Sequence, residues 1–216
     1  MKVIVFAPHN DDEVLGVGGT IAKHVAKGHS VYICEVTSGQ DQKRLENIQR
    51  EALNAHEILG VTDTIFLDLP VVGLANISTR RLNKAMHDVV QKIKPDIAYI
   101  PHKGDMHIDH TMVAESAMVA LRPVDSPQIK AIYAYETLSE TEWNIPSVDN
   151  AFIPNIWVDI TETIDIKLKA MECYKSQLID FPHPRSLEAI KALSNFRGST
   201  ICVENAESFM LIRGIM

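Results

Sequence analysis

The segment Val3-Ile4-Val5-Phe6-Ala7-Pro8-His9-Asn10-Asp11-Asp12-Glu13 decides how this 216-residue chain is read. Five consecutive apolar residues without polar alternation are the pattern of a strand buried on both faces. Directly after them, one imidazole and three carboxylates crowd into a turn. Carboxylates held that close repel one another unless a cation or a proton shares the site. The turn therefore reads as a metal site with a spare acid-base group. A second cluster, His107-Ile108-Asp109-His110, follows another apolar run, Ile97-Ala98-Tyr99-Ile100. In an open parallel sheet the carboxyl ends of the strands share one edge, so two remote segments can meet at one mouth.

Working outward, residues 14–27 are predicted as a helix closed by Gly28, and Val31 to Val36 as the next strand. This is a β-α-β unit. Residues 43–59 place Leu45, Ile48, Ala52, Ala55 and Leu59 on one helical face, stopped by Gly60 and followed by the strand Thr64 to Leu67. Residues 79–93 repeat the pattern with Leu82, Ala85, Met86, Val89 and Ile93, and Pro95 bars continuation. A helix from Thr111 to Leu121 follows the second cluster. Ala131–Tyr135, Asn155–Ile160 and Phe209–Arg213 are expected as strands, some antiparallel, with helices over 162–178 and 186–196. Loops over 138–154 and 180–185 are expected to cover the sheet mouth. The expectation is a single α/β domain over residues 1–216, with a mostly parallel sheet and helices on both faces.

Bulk properties agree with one soluble domain: 24.1 kDa, 46% apolar, net charge -7 and pI near 5.7. No clustered basic face points to nucleic acid or an anionic membrane. No segment reaches the ~20 apolar residues of a membrane span, and the start is too short for a signal peptide. Cys34, Cys173 and Cys202 are odd in number and widely spaced, so they read as thiols in a reducing cytoplasm. Oligomeric state is left open, with a homo-oligomer permitted.

The clusters permit specific chemistry. Hydrolytic zinc sites commonly keep three protein ligands and one position for water, and His9, Asp12 and His110 would fill the three. Such an ion brings the pKa of bound water from 15.7 to roughly 7 and polarises a carbonyl. Asp11, next to a ligand but turned differently, is the candidate general base. His107, three residues before His110, can stabilise an oxyanion or protonate the leaving group. Asp109 can fix its tautomer and favour the imidazolium, or simply cap the following helix. Glu13 reads equally as a helix N-terminal carboxylate. His24, His29, His56, His87, His102 and His183 are given no role. Gly16-Val17-Gly18-Gly19 with Glu35 raises a dinucleotide-dependent oxidoreductase as an alternative. Ile21 stands where its pattern needs glycine, and the acidic turn occupies the phosphate position. The glycines read instead as close helix-to-sheet packing. No G-x-S-x-G elbow is present, and Cys34 lies inside an apolar strand.

At these residues the sequence resembles the zinc-dependent N-acetylglucosaminyl deacetylases of the PIG-L or LmbE-like family. Their Ala-His-Pro-Asp-Asp-Glu segment corresponds to Ala7-Pro8-His9-Asn10-Asp11-Asp12-Glu13, and their His-x-Asp-His segment to His107-Ile108-Asp109-His110. Gly18-Gly19-Thr20, Arg50-Glu51-Ala52 with Leu59-Gly60, and Ala206-Glu207-Ser208-Phe209 are similar as well. The resemblance implies a Rossmann-like sheet, a metal held by His9, Asp12 and His110, and a base at Asp11. The ion would be Zn2+, with another divalent transition metal as the alternative. It also implies an oxyanion or acid histidine at His107 and a substrate arginine at Arg50. The implied activity is removal of an N-acetyl group from an amino sugar or conjugate, with a catalytically silent metal- or partner-binding homologue as the alternative. Two departures stand out: Asn10 replaces the usual proline, and Gln40 replaces an acidic residue after Thr37-Ser38-Gly39.

Overall fold

The computed structural model describes residues 1–39 and 41–215; Gln40 lies outside them. Chain order is β1 (Lys2–Ala7), α1 (Asp12–Ala26), β2 (Ser30–Ser38), α2 (Gln42–Leu59), β3 (Asp63–Pro70), α3 (Thr79–Ile93), β4 (Ile97–Pro101), α4 (Ile108–Ala120), β5 (Ala131–Tyr135), β6 (Ile156–Asp159), α5 (Ile164–Met171), α6 (Leu187–Ser199) and β7 (Ala206–Gly214). The strands form one α/β sheet in the order β3-β2-β1-β4-β5-β7-β6. Pairs from β3 through β5 are parallel, and β7 runs antiparallel to both β5 and β6.

This order explains where a site can form. The chain winds outward from β1 to β3 and then returns to place β4 on the other side of β1, with Val3 opposite Ile97 and Val5 opposite Tyr99. That reversal opens a crevice at the carboxyl ends of β1 and β4. The acidic turn follows β1, and the second histidine cluster follows β4.

Alternate residues of β1 fill two cores. Ile4 and Phe6 join the stripes of α3 and α4, including Leu82, Met86, Val113 and Ala117. Val3 and Val5 join Val17, Ile21, Ala52 and Tyr174 beneath α1, α2 and α5. The stripe of α3 is Leu82, Met86, Val89, Val90 and Ile93, so Val90 is buried where Ala85 was expected. Helix α2 ends at Gly60 in the left-handed conformation (φ 75°), the stop its sequence signalled. The helix expected over 162–178 ends at Met171, after which turns lead Tyr174 back into the core.

The glycines of α1 are packing positions. A Cβ on Gly16 would fall inside the ring of Tyr135, whose hydroxyl donates to the Phe6 carbonyl at 2.7 Å. One on Gly19 would lie 2.7 Å from Ile160. An ion pair is seated against the same helix: Lys167 Nζ donates to Glu207 at 2.6 Å and to the Leu15 carbonyl at 2.8 Å. Glu207 in turn accepts the amides of Gly19 and Thr20. Among the described residues, no helix is long and apolar enough to cross a membrane.

At the other end of α1, His24 lies between His29 (Nδ1 to Nδ1, 2.9 Å) and the Tyr99 hydroxyl (3.0 Å). Burial, with the positive charges of His29 and Lys27, lowers its pKa to about 4. The unfolded chain therefore binds the proton more readily between about 6.5 and 4. Stability from a neutral His24 is full above pH 6.5 and is lost as pH falls towards 4, by on the order of 2 kcal/mol. Urea midpoints at pH 7.5 and 4.5 should differ less in His24→Gln than in the parent; equal differences would remove His24 from the pH response.

Candidate active site

The backbone of the first turn is built around Asp12. Its Oδ2 accepts the His9 amide at 2.8 Å, and Asp12 opens α1. The same oxygen lies 3.4 Å from His9 Nδ1 and 3.1 Å from His110 Nε2, and those two nitrogens are 3.3 Å apart. Three donors bound at 2.0–2.1 Å to a tetrahedral ion stand roughly 3.3–3.4 Å from one another, so this triangle fits zinc or a similar divalent ion. The local field agrees. Burial opposes charge on His9, but the carboxylates of Asp109 and Asp12 outweigh it and raise its pKa to about 9. His110 is likewise raised, by Asp12 and Asp105 against burial. Burial also works against the Asp12 carboxylate, yet His110 and His9 hold it well below the usual range. Donors that draw in protons this strongly are an environment demanding positive charge.

Asp11 stands beside the triangle. Its φ is 150° with ψ -21°, a strained conformation for a non-glycine residue. Its amide donates to the His9 carbonyl at 3.1 Å and to Glu13 Oε2 at 3.2 Å. The Oδ2 atom is buried without a hydrogen-bond partner, 3.6 Å from the Arg185 guanidinium. Burial and the Asp12 charge push the Asp11 pKa well above the carboxylate range, with Arg185 opposing. A buried, unsatisfied carboxyl with a raised pKa is equipped to accept and return a proton.

His107 is the N-cap of α4, and its Nδ1 accepts the Asp109 amide at 3.1 Å. His107 lines the cavity in front of the triangle. The carboxylate of Asp109 is aimed elsewhere: its Oδ2 is 3.3 Å from His9 Nε2, accepts the Val72 amide at 2.8 Å, and is 3.9 Å from His107 Nδ1. Asp109 thus orients His9, and it is the Asp109 backbone that selects the His107 tautomer. Burial and the charge of His9 lower the His107 pKa despite Asp109, opposite to the imidazolium expected from sequence. Arg50 is exposed, lines the same cavity, and donates to Asn47 at 2.6 Å.

Comparison with known proteins shows the family. The family model described as PIG-L, GlcNAc-PI de-N-acetylase, matches residues 4–121, more than half of the chain. This chain belongs to the PIG-L family. The uncharacterized deacetylase YaiS of Escherichia coli K12 is 30% identical over 81% of the chain and 90% of its own length. The diacetylchitobiose deacetylase of Thermococcus kodakarensis is 27% identical over 82% and 70%. In structure, the conserved protein TT1542 from Thermus thermophilus superposes with a TM-score of 0.82 at 28% identity, covering 99% of this chain and 96% of that one.

Around the PIG-L motifs, several groups had no motif to mark them. Asp105 Oδ2 is 2.8 Å from His110 Nδ1 and its Oδ1 accepts the Thr141 hydroxyl at 2.6 Å, which turns His110 Nε2 towards the triangle. Glu140, on a segment after β5, accepts the His107 amide at 3.1 Å. Arg185 comes from the 180–185 loop, which was expected to cover the sheet mouth, but with no role for Arg185. Glu13, more than a helix-end charge, is fully buried and gathers the Asp11 amide, the Tyr174 hydroxyl (2.5 Å) and His56 Nε2 (3.1 Å). Glu35 lies against the same His56 nitrogen at 3.5 Å, its pKa pushed up by burial and by Glu13. A carboxylate behind a metal-binding histidine typically governs affinity, so, for an ion held by the triangle, Asp105→Ala should weaken its binding about 10–100-fold. A chelator-competition titration checks this; an unchanged constant would make Asp105 a loop support only.

Proposed function

We propose that this chain is a metal-dependent N-deacetylase, with zinc as the resident ion, that removes an acetyl group from the nitrogen of an amino sugar or its conjugate. The reading takes residues 1–216 as one catalytic unit. The observation that carries it is the near-equilateral triangle of His9 Nδ1, Asp12 Oδ2 and His110 Nε2 with the unpartnered Asp11 Oδ2 alongside. A divalent ion held by these three residues supplies an acidified water and a Lewis acid for the amide carbonyl.

The protein's own groups do the rest. Asp11 takes the proton of the attacking water and, with its raised pKa, is suited to hand it to the departing amine. His107, neutral and donating from Nε2, stabilises the oxygen that becomes negative as the carbonyl carbon turns tetrahedral. Arg185 stands opposite Asp11 and Arg50 farther out, both on the wall facing substrate. The reading includes a reducing cytoplasm, in keeping with free thiols at Cys34, Cys173 and Cys202. Metal analysis of the purified protein, with acetate release measured on a panel of N-acetylglucosaminides, tests the function. About one ion per chain, lost in His110→Ala together with activity, is expected. Activity that survives removal of the ion would overturn the metal-dependent reading, and a loaded protein silent across the panel would overturn the enzymatic one.

A further inference from the structure

Around the Glu13 carboxylate that accepts the Asp11 amide, four elements bring a second polar cluster together. Glu13 comes from α1, Glu35 from β2 beside Ala7 of β1, His56 from α2 and Tyr174 from the turns after α5. None of the four meets solvent: Glu13 and Tyr174 are fully buried, Glu35 is 1% exposed and His56 3%. One donor atom from each of Glu13, Glu35 and His56 lies within 4.8 Å of the other two. The chemistry proposed for the triangle uses neither Glu35 nor His56.

The cluster has more acceptors than donors. The Asp11 amide, the Tyr174 hydroxyl and His56 Nε2 all converge on Glu13, at 3.2, 2.5 and 3.1 Å. Neither oxygen of Glu35 receives a hydrogen bond, although both are buried. Among the described residues, the only basic side chain paired with either carboxylate is His56, whose same nitrogen is 3.5 Å from Glu35. Two buried carboxylates with no lysine or arginine between them are costly unless a further positive charge joins them. A shared proton meets one oxygen and leaves the rest of the surplus in place. A divalent ion meets both carboxylates and the imidazole at once.

The spacing suits an ion. Donors bound at about 2.0–2.2 Å to one ion stand roughly 3.0–3.6 Å apart, and His56 Nε2 is 3.1 Å from Glu13 Oε1 and 3.5 Å from Glu35 Oε1. The other ring nitrogen, Nδ1, is 2.8 Å from the Thr64 hydroxyl. That partner fixes the ring and, by taking the Nδ1 proton, leaves Nε2 its lone pair, the arrangement typical of a ligating histidine. We propose that Glu13, Glu35 and His56 form a second, inner site for a divalent cation, separate from the triangle. With two carboxylates to one imidazole the set is richer in oxygen than the triangle, which suits manganese(II). Closed to solvent, the site is filled as the chain folds, and its ion ties α1, β2 and α2 together. This inference stands apart from the deacetylase reading.

The test is elemental analysis of the full chain purified from manganese-supplemented medium and dialysed against a mild chelator. His110→Ala serves as the background, so that the triangle does not contribute. The single ion expected of the purified protein above belongs to the triangle; this one is additional when manganese is supplied during folding. About one manganese per chain should remain in the background protein and fall below about a tenth when Glu35→Gln or His56→Gln is added. Circular dichroism confirms that each variant is folded, and because the two remove different ligands, either one suffices. A background protein without manganese, or equal manganese in a folded variant, overturns the inference. In the first case, a Glu35→Gln chain more resistant to urea than its background assigns a proton to Glu35 instead. The count needs no substrate, so a protein silent in acetate release leaves the inner site standing, and an inner site without manganese leaves the deacetylase reading standing.

Discussion

Asp11→Asn should lower turnover about 10²–10⁴-fold while leaving the protein loaded with metal, because it removes the proposed proton acceptor and leaves the side chains of His9, Asp12 and His110 untouched. The side chains are isosteric, and Asp11 makes none of the contacts among His9, Asp12 and His110. Its backbone contacts, to the His9 carbonyl and to Glu13, are made by the amide and survive the change. What is lost is the ability of a buried, unpartnered oxygen to take a proton. The measurement is acetate release alongside metal content on one preparation. Turnover near the parent's would remove Asp11 from the proton pathway, and metal lost in proportion to activity would make it a support of the site instead.

Lys167→Ala should destabilise the fold by about 3–5 kcal/mol, the cost of leaving Glu207 charged and buried without its partner. Both side chains are 4% exposed, and their pair spans α5 and β7 while binding the backbone of α1. The effect therefore reaches the helix whose first residue is Asp12. The exposed pair Lys84–Asp88, 72% and 57% accessible, provides the contrast, since Lys84→Ala should cost no more than about 0.5 kcal/mol. Urea denaturation of the two variants reads the difference directly. Equal midpoints would mean that Glu207 meets its charge by protonation.

Much of this architecture was written in periodicity. The stripes of α2 and α3 and the stops at Gly60 and Pro95 lie where the pattern of apolar residues put them, because a helix must bury one face and end where the backbone allows. The second half was harder to read. Helix α5 stops at Met171 because Tyr174 turns inward to meet Glu13, a contact between residues 161 positions apart that no local pattern encodes. The same holds for Asp109: adjacency suggested His107 as its partner, whereas the fold brings in His9 from 100 residues away at 3.3 Å.

By itself the amino-acid order determined the winding of the parallel strands and the two acidic and histidine-rich turns that follow β1 and β4. Both are local properties, set by hydrophobic spacing and by charges that repel unless a cation or a proton shares the turn. Only the tertiary structure decided which groups serve those turns: Asp105 behind His110, Glu13 beneath the Asp11 amide, Arg185 across from its carboxylate. Each of these reaches its place through packing or sheet topology, and an electrostatic contact over 3 to 4 Å depends on distance in space, to which separation along the chain is no guide.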